Sequence, residues 1–113
     1  MAYSGGHYEP EEGDEVTLFI HKFASEDFEK AQAIMTKEFG AAFGQFGQTR
    51  RGFWVADPEA HEVVGISFVK KGQKVEDWNA SERRKEVLRQ LESLELEPVV
   101  VKQCKVIGDY RVD

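Results

Sequence analysis

Apolar residues recur along this chain in four short runs, separated in two places by longer stretches with helical spacing. The runs at 16–23, 52–56, 61–70 and 99–107 are rich in β-branched and aromatic residues, which favour strands. After the first and third runs, apolar residues recur every three or four positions, as in an amphipathic helix. The predicted order is therefore β-α-β-β-α-β, with a Pro-containing turn at 57–60 joining the two middle strands.

The two helices have predicted caps and predicted core stripes. Ser25 precedes two acidic residues and predicts an N-cap for the first helix, and several glycines predict its end between residues 40 and 47. Asn79 followed by Glu82 predicts a capping box for the second helix, whose charged first turns we expect to be exposed. We expect the apolar stripes to be core, formed by Phe28, Ala31, Met35, Phe39, Ala42, Phe43 and Phe46 and by Val87, Leu88, Leu91 and Leu94.

This order of elements predicts an α+β, ferredoxin-like fold: a four-stranded antiparallel sheet with two helices on one face. The strands are apolar on both faces. In the first strand Val16, Leu18 and Ile20 point one way, and Thr17, Phe19, His21 and Phe23 point the other. Because two helices cover only one face, the second face would be a large exposed apolar patch. We therefore expect a homodimer in which two sheets pack face to face around a two-fold axis.

Length and charge exclude several classes of protein. The chain has 113 residues and a net charge of −6, which fits one domain. Residues 1–14 hold four acidic residues and no basic ones, so we predict a flexible acidic tail before a single domain at 15–113. That domain, with 17 acidic and 15 basic residues, lacks the basic surface that nucleic acids require. With no membrane-spanning run, no export signal and one cysteine, a cytoplasmic protein without membrane contact is expected.

His21 is the best candidate for a catalytic base, because the ordinary pKa of histidine lies near neutrality. The alternative is a partly buried structural histidine that is hydrogen-bonded to a neighbour. The predicted ligand contacts are Thr17 and Ser67 as polar groups, Phe19 and Trp54 as stacking surfaces, and Gln103 or Lys105 as an oxyanion partner.

Metal and thiol chemistry have less support. His7, His21 and His61 are scattered without ligand-like spacing, so neither a metal nor another cofactor is expected. Cys104 lies in the last strand, where we expect a buried, inert thiol rather than a nucleophile.

Several segments carry a resemblance to a known family. They are the strand Val63–Val69, the segment Val75–Trp78, the charged segment Ser81–Leu88, and Pro98 before the last strand. Over residues 15–107 the chain resembles the dimeric α+β barrel superfamily, and within it the antibiotic biosynthesis monooxygenase-like (ABM) domains. The resemblance implies a pocket between sheet and helices, and either cofactor-independent oxidation of quinone-like substrates or haem degradation.

The haem-degrading members of that family use an Asn, a Trp and a His. None of these three residue types stands at the corresponding position of this chain. Val69 stands at the Trp position, Leu88 at the His position, and His21 near the Asn position, so haem degradation is not expected. Two hypotheses remain. The first is a small-molecule-binding homodimer with at most monooxygenase-like activity on an apolar or aromatic substrate. The second is a non-catalytic ligand-sensing or interaction dimer.

Overall fold

The predicted order of strands and helices is confirmed. A computed structural model of the protein describes residues 8–39, 50–73 and 81–112. The strands are β1 (Glu15–Lys22), β2 (Arg50–Asp57), β3 (Glu62–Val69) and β4 (Val100–Lys105). The helices are α1 (Phe28–Ile34), preceded by a 3-10 turn (Ser25–Asp27) and followed by a π-helical segment (Met35–Phe39), and α2 (Glu82–Glu92).

The four strands form one antiparallel sheet in the order β2-β3-β1-β4. Strand β3 lies between β1 and β2, which is the split βαβ arrangement of the ferredoxin-like fold. Phe19 of β1 lies opposite Gly65 of β3 and, on its other side, opposite Val101 of β4. Gly65 in turn lies opposite Trp54 of β2. Residues opposite one another share a face of the sheet, so these four positions all face the helices.

The core lies between this face of the sheet and the helices. Its buried side chains are Phe23, Phe28, Ala31, Met35, Phe39, Val63, Val87 and Leu91. The two helical stripes are thus confirmed as core for every described residue, with Leu88 and Leu94 partly buried. Ala42, Phe43 and Phe46 lie outside the described residues, as does the predicted end of the first helix. An ion pair between Glu38 and Arg83 links the π-helical segment to α2.

The helix caps differ from the prediction. Ser25 begins the 3-10 turn, and no side chain caps either that turn or α1. Helix α2 is capped by Ser81, whose Oγ accepts a hydrogen bond from the Arg84 backbone N–H at 3.3 Å. Asn79 lies outside the described residues. Serine and asparagine are both favourable N-cap residues. Ser81 caps the helix because it directly precedes the first helical residue, Glu82, and its backbone is extended.

The turn between β2 and β3 forms as predicted. The Asp57 carboxylate accepts hydrogen bonds from the backbone N–H groups of Glu59 at 3.0 Å and Ala60 at 3.2 Å. These bonds close the turn locally, as Asp side chains commonly do. The hairpin thereby sets the pairing of Trp54 with Gly65.

The second face of the sheet carries the predicted apolar surface, and no described helix covers it. This outer face consists of Val16, Leu18 and Ile20 of β1, Val64, Ile66 and Phe68 of β3, Phe53 and Val55 of β2, and Val100 of β4. Val55 is 50% exposed and Phe53 is 45% exposed, although the Phe53 ring packs edge-on against Phe68. Contiguous apolar surface of this kind marks a contact site.

Residues 8–14, which belong to the predicted flexible tail, are fastened to the domain through Asp14. This carboxylate is buried, and it accepts three hydrogen bonds, from the Tyr8 hydroxyl at 2.7 Å, the Glu11 N–H at 2.8 Å and the Lys71 N–H at 2.9 Å. Composition indicated disorder because the segment has little apolar content. In the structure, the buried Asp14 carboxylate and its three donors link residues 8–14 to the domain. Residues 1–7 lie outside the described part of the chain.

Residues 13 and 14 extend the pairing of β1 with β4 by two further backbone hydrogen bonds. The Gly13 N–H donates to the Val106 carbonyl oxygen, and the Val106 N–H donates to the Asp14 carbonyl oxygen, both at 2.9 Å. Gly13 has a φ of +94°, a conformation that side chains other than hydrogen disfavour. The N-terminal and C-terminal segments therefore hold each other in place.

Acid should weaken the hydrogen bonds of the Asp14 carboxylate. The Lys71 N–H, the Tyr8 hydroxyl and the Glu11 N–H hold the pKa of Asp14 below its usual range, against the opposing effect of burial. A lowered folded-state pKa gives a stabilising contribution that is complete above the unfolded pKa of about 3.9 and is lost as pH falls through the folded value. We expect Asp14→Asn to lower the free energy of unfolding at pH 7 by about 1–3 kcal/mol, measured by urea denaturation.

The difference in unfolding free energy between Asp14→Asn and the wild type should narrow as pH falls below about 4, where Asp14 of the unfolded wild type begins to protonate. Asp109→Asn is the matched control, since Asp109 is exposed and should leave stability unchanged at both pH values. A difference that widens on acidification would contradict the assigned role of Asp14.

Candidate functional site

A cavity of about 190 Å³ lies between the sheet and the two helical segments. Its lining is mostly apolar, with Phe19, Trp54 and Gly65 on the sheet and Met35, Phe39 and Leu88 on the helical side. A Cβ atom added at Gly65 would lie 3.7 Å from both Phe19 and the Trp54 ring, so any longer side chain there would enter this space. The register of β1, β2 and β3 thus opens the cavity between two aromatic side chains.

Four polar side chains reach the cavity wall: His21 and Ser67 from the sheet, and Arg84 and Glu92 from α2. Arg84, Leu88 and Glu92 are spaced four residues apart and therefore lie along one face of the helix. This face is distinct from the buried stripe formed by Val87 and Leu91. Helix α2 accordingly has two functional faces, one for the core and one for the cavity.

His21 is buried and is hydrogen-bonded through Nδ1 to the carboxylate of Glu95. An ionised carboxylate only accepts hydrogen bonds, so Nδ1–H is the donor. In the tautomer of the imidazole that carries its hydrogen on Nδ1, Nε2 is an acceptor. The ring also stacks on Phe23, with 6.0 Å between ring centroids. Burial, a carboxylate partner and a stacked aromatic ring are typical of a structural histidine. A catalytic base must in addition reach the substrate, and His21 lies at the cavity wall.

A second, more open cavity of about 460 Å³ lies beside the first, and His21, Leu88 and Glu92 line both. Its other lining residues include Glu95 and Glu97. The imidazole of His21 therefore lies at the wall that the two cavities share, with the Glu95 carboxylate on the side of the second cavity.

Three predicted ligand contacts, Phe19, Trp54 and Ser67, line the first cavity together with His21. Thr17 and Gln103 lie further along the same face of the sheet and do not line it. The Thr17 hydroxyl donates to the Gln103 side-chain oxygen at 3.0 Å, so these two polar groups are bonded to each other. A role for any of these side chains in ligand binding stays a prediction.

The structure adds Glu95 and Arg84, which the sequence did not single out. Glu95 lies in an acidic segment after α2, where nothing distinguishes it from Glu97. Arg84 was expected on an exposed helix surface, but it is half-buried, and burial lowers the pKa of its guanidinium. Its four-residue spacing from Leu88 is the one signal that could have indicated a position on the cavity face.

Metal and thiol chemistry find no site in the described ranges 8–39, 50–73 and 81–112. No three His, Cys, Asp or Glu side chains within them are grouped to hold a metal ion. Cys104 is exposed, which corrects the expectation of a buried thiol, because its edge strand β4 is open to solvent along its whole length. None of the helices described is both long and apolar enough to cross a bilayer.

Comparison with solved structures shows the fold of the chain. The Mycobacterium tuberculosis protein Rv0793 has a TM-score of 0.70 at 11% identity, covering 87% of this chain and 99% of that one. A Bacteroides thetaiotaomicron protein assigned as an antibiotic biosynthesis monooxygenase has a TM-score of 0.64 at 12% identity, covering 85% and 90%. A dimeric ferredoxin-like protein from an uncultured marine organism has a TM-score of 0.62 at 10% identity, covering 90% and 95%.

No protein-family model matches the sequence, and no curated protein matches it. At identities of 10–12% these structures show a shared fold and nothing finer. The ferredoxin-like α+β fold predicted from the sequence is confirmed, and the resemblance to ABM domains is confirmed at the level of the fold.

The His21–Glu95 pair should be a measurable source of stability. Glu95→Leu leaves the buried Nδ1–H without its acceptor, which costs about 1–3 kcal/mol in the free energy of unfolding, measured by chemical denaturation. Glu95→Gln keeps a carbonyl acceptor and should cost less. Glu97→Leu is the control at a neighbouring exposed glutamate, and an equal loss in Glu95→Leu and Glu97→Leu would contradict the pairing.

Proposed function

We propose that the protein is a homodimer that binds a small, flat and mostly apolar molecule in the 190 Å³ cavity and oxidises it without a cofactor. The observation that carries this proposal is His21, which lies at the wall of a mostly apolar cavity and is hydrogen-bonded to Glu95. Buried histidine–carboxylate pairs position an imidazole for proton transfer. The fold shared with the Bacteroides protein assigned as a monooxygenase supports the same class of reaction.

The apolar outer face supports the homodimer. It spans all four strands, and a second copy offers the same surface for a self-complementary contact. The C-terminal segment adds further uncovered apolar side chains, with Ile107 90% exposed, Tyr110 89% and Val112 88%. The marine structure of the same fold is named as a dimeric protein, which supports the same assembly here.

A charge on the outer face should separate the two copies. Leu18→Glu places a carboxylate at the centre of this face, where a dimer would bury it without a partner. We expect the wild type to sediment as a dimer and Leu18→Glu as a folded monomer in analytical ultracentrifugation. Gln90→Glu adds the same charge on the solvent side of α2 and should remain dimeric. A monomeric wild type would overturn the proposed assembly.

The proposed chemistry starts from His21, whose Nδ1 is bonded to Glu95. Its Nε2 accepts an acidic proton of the substrate, and the Glu95 carboxylate stabilises the imidazolium that forms. In this proposal the hydroxyl of Ser67, which lines the same cavity, donates a hydrogen bond to the resulting oxyanion. The electron-rich anion reduces dioxygen, which is the oxidant. For 1-naphthol one oxygen atom becomes the new carbonyl of 1,4-naphthoquinone, and the other leaves as water with the two hydrogen atoms.

Turnover of 1-naphthol tests this proposal. We expect quinone formation in air, none under nitrogen, and a loss of about a hundredfold or more in kcat with His21→Ala, because general-base catalysis contributes at least that factor. Glu95→Gln should lower kcat and change its pH profile, since Glu95 positions the base. Glu29→Gln, on the exposed surface of α1, is the control that should keep wild-type rates.

Two outcomes would overturn parts of the proposal. Unchanged product formation with His21→Ala would remove that residue from the mechanism. Binding of 1-naphthol in the cavity without any aerobic turnover would favour the second hypothesis, a non-catalytic ligand-sensing dimer.

A further inference from the structure

The first cavity has polar groups of opposite charge at its two ends. Glu95, three residues beyond α2, bonds to His21 near the end of β1, so α2 runs in the same direction as β1. Glu92, in the last turn of α2, therefore lies toward His21, and both line the second cavity as well. Arg84 lies two turns before Glu92, about 12 Å along the helix axis, and does not line the second cavity.

Arg84 differs from its neighbour Arg83 in how its charge is balanced. Arg83 forms ion pairs with Glu38 and Glu86 on the outside of the helices. Among the residues that the structure describes, no carboxylate pairs with the Arg84 guanidinium. The hydrogen bond from Arg84 to Ser81 is made by the backbone N–H and leaves the side chain uninvolved. Burial alone lowers its pKa, with no acidic group acting in the opposite direction. Arg84 is thus a half-buried cation at the wall of an apolar cavity.

A half-buried cation without a partner costs free energy that an anionic ligand group would recover. A guanidinium binds planar carboxylates through two parallel hydrogen bonds, and such charge-assisted bonds are about twice as strong as neutral ones. At the other end of the cavity, Glu92 would repel a second negative charge. The charges of the wall therefore favour one anionic group, on one end of the ligand.

We propose that Arg84 binds an anionic group of the ligand, so that the cavity takes a flat aromatic monoanion, such as an aryl carboxylate, in preference to a neutral molecule of the same shape. This inference rests on the proposed function only in requiring that the cavity holds a small molecule. The aromatic part lies between Phe19 and Trp54, and the end opposite the anionic group lies toward His21.

The experiment compares two probes of the same shape, 2-naphthoate and its neutral counterpart 2-naphthamide, by isothermal titration calorimetry at pH 7.5. The full-length wild type should bind 2-naphthoate about tenfold more tightly, which corresponds to one charge-assisted hydrogen-bonded contact. Arg84→Gln should remove this preference and leave the affinity for 2-naphthamide unchanged. Arg83→Gln is the matched control at the adjacent, ion-paired arginine and should keep the preference.

Each outcome separates this inference from the proposed function. Equal binding of both probes by the wild type, or an unchanged preference in Arg84→Gln, would overturn the role of Arg84 and leave the cavity as a ligand site. If the wild type binds neither 2-naphthoate nor 2-naphthamide, the proposed ligand site is overturned, and the preference for anions is overturned with it. A circular dichroism spectrum of Arg84→Gln that matches the wild type excludes misfolding as the cause of any loss.

Discussion

The placement of both helices on one face of the sheet is the constraint on which the rest of the structure depends. It divides the residues of every strand into two environments, so that Phe19 and Trp54 face the helices while Leu18 and Val55 face outward. The inner environment is filled by the core side chains of the helical segments and left open over Gly65. The cavity and the uncovered apolar face thus have one origin, the alternation of side chains along strands covered on one side.

Helix α2 supplies most of the charged side chains at the cavity wall. Its buried stripe, Val87 and Leu91, holds it on the sheet, and the adjacent stripe supplies Arg84, Leu88 and Glu92 to the cavity. The chain leaving the helix then delivers Glu95 to His21. Small shifts of this helix would therefore move the cation, the apolar wall and the partner of the base together.

The three solved structures compared above share this fold at only 10–12% identity, so the fold tolerates nearly complete exchange of side chains. Function must then be argued from the cavity wall rather than from the architecture. Here the position that the family resemblance assigns to the His of haem-degrading members holds Leu88, and the wall carries a histidine on β1 and an arginine on α2 instead. The proposed proton transfer on an organic molecule rests on this histidine.

The sequence alone determined the order of elements, the helical stripes, the hairpin turn and the two apolar faces of the strands, because each depends on periodicity within one element. It also singled out His21, Phe19, Trp54 and Ser67, which alternation places on one face. Only the tertiary structure decided that Glu95 holds His21, that Arg84 reaches the cavity, and that Asp14 fastens the N-terminal segment. Each of these contacts joins residues far apart in the chain, and the register and packing that bring them together leave no periodic trace in the sequence.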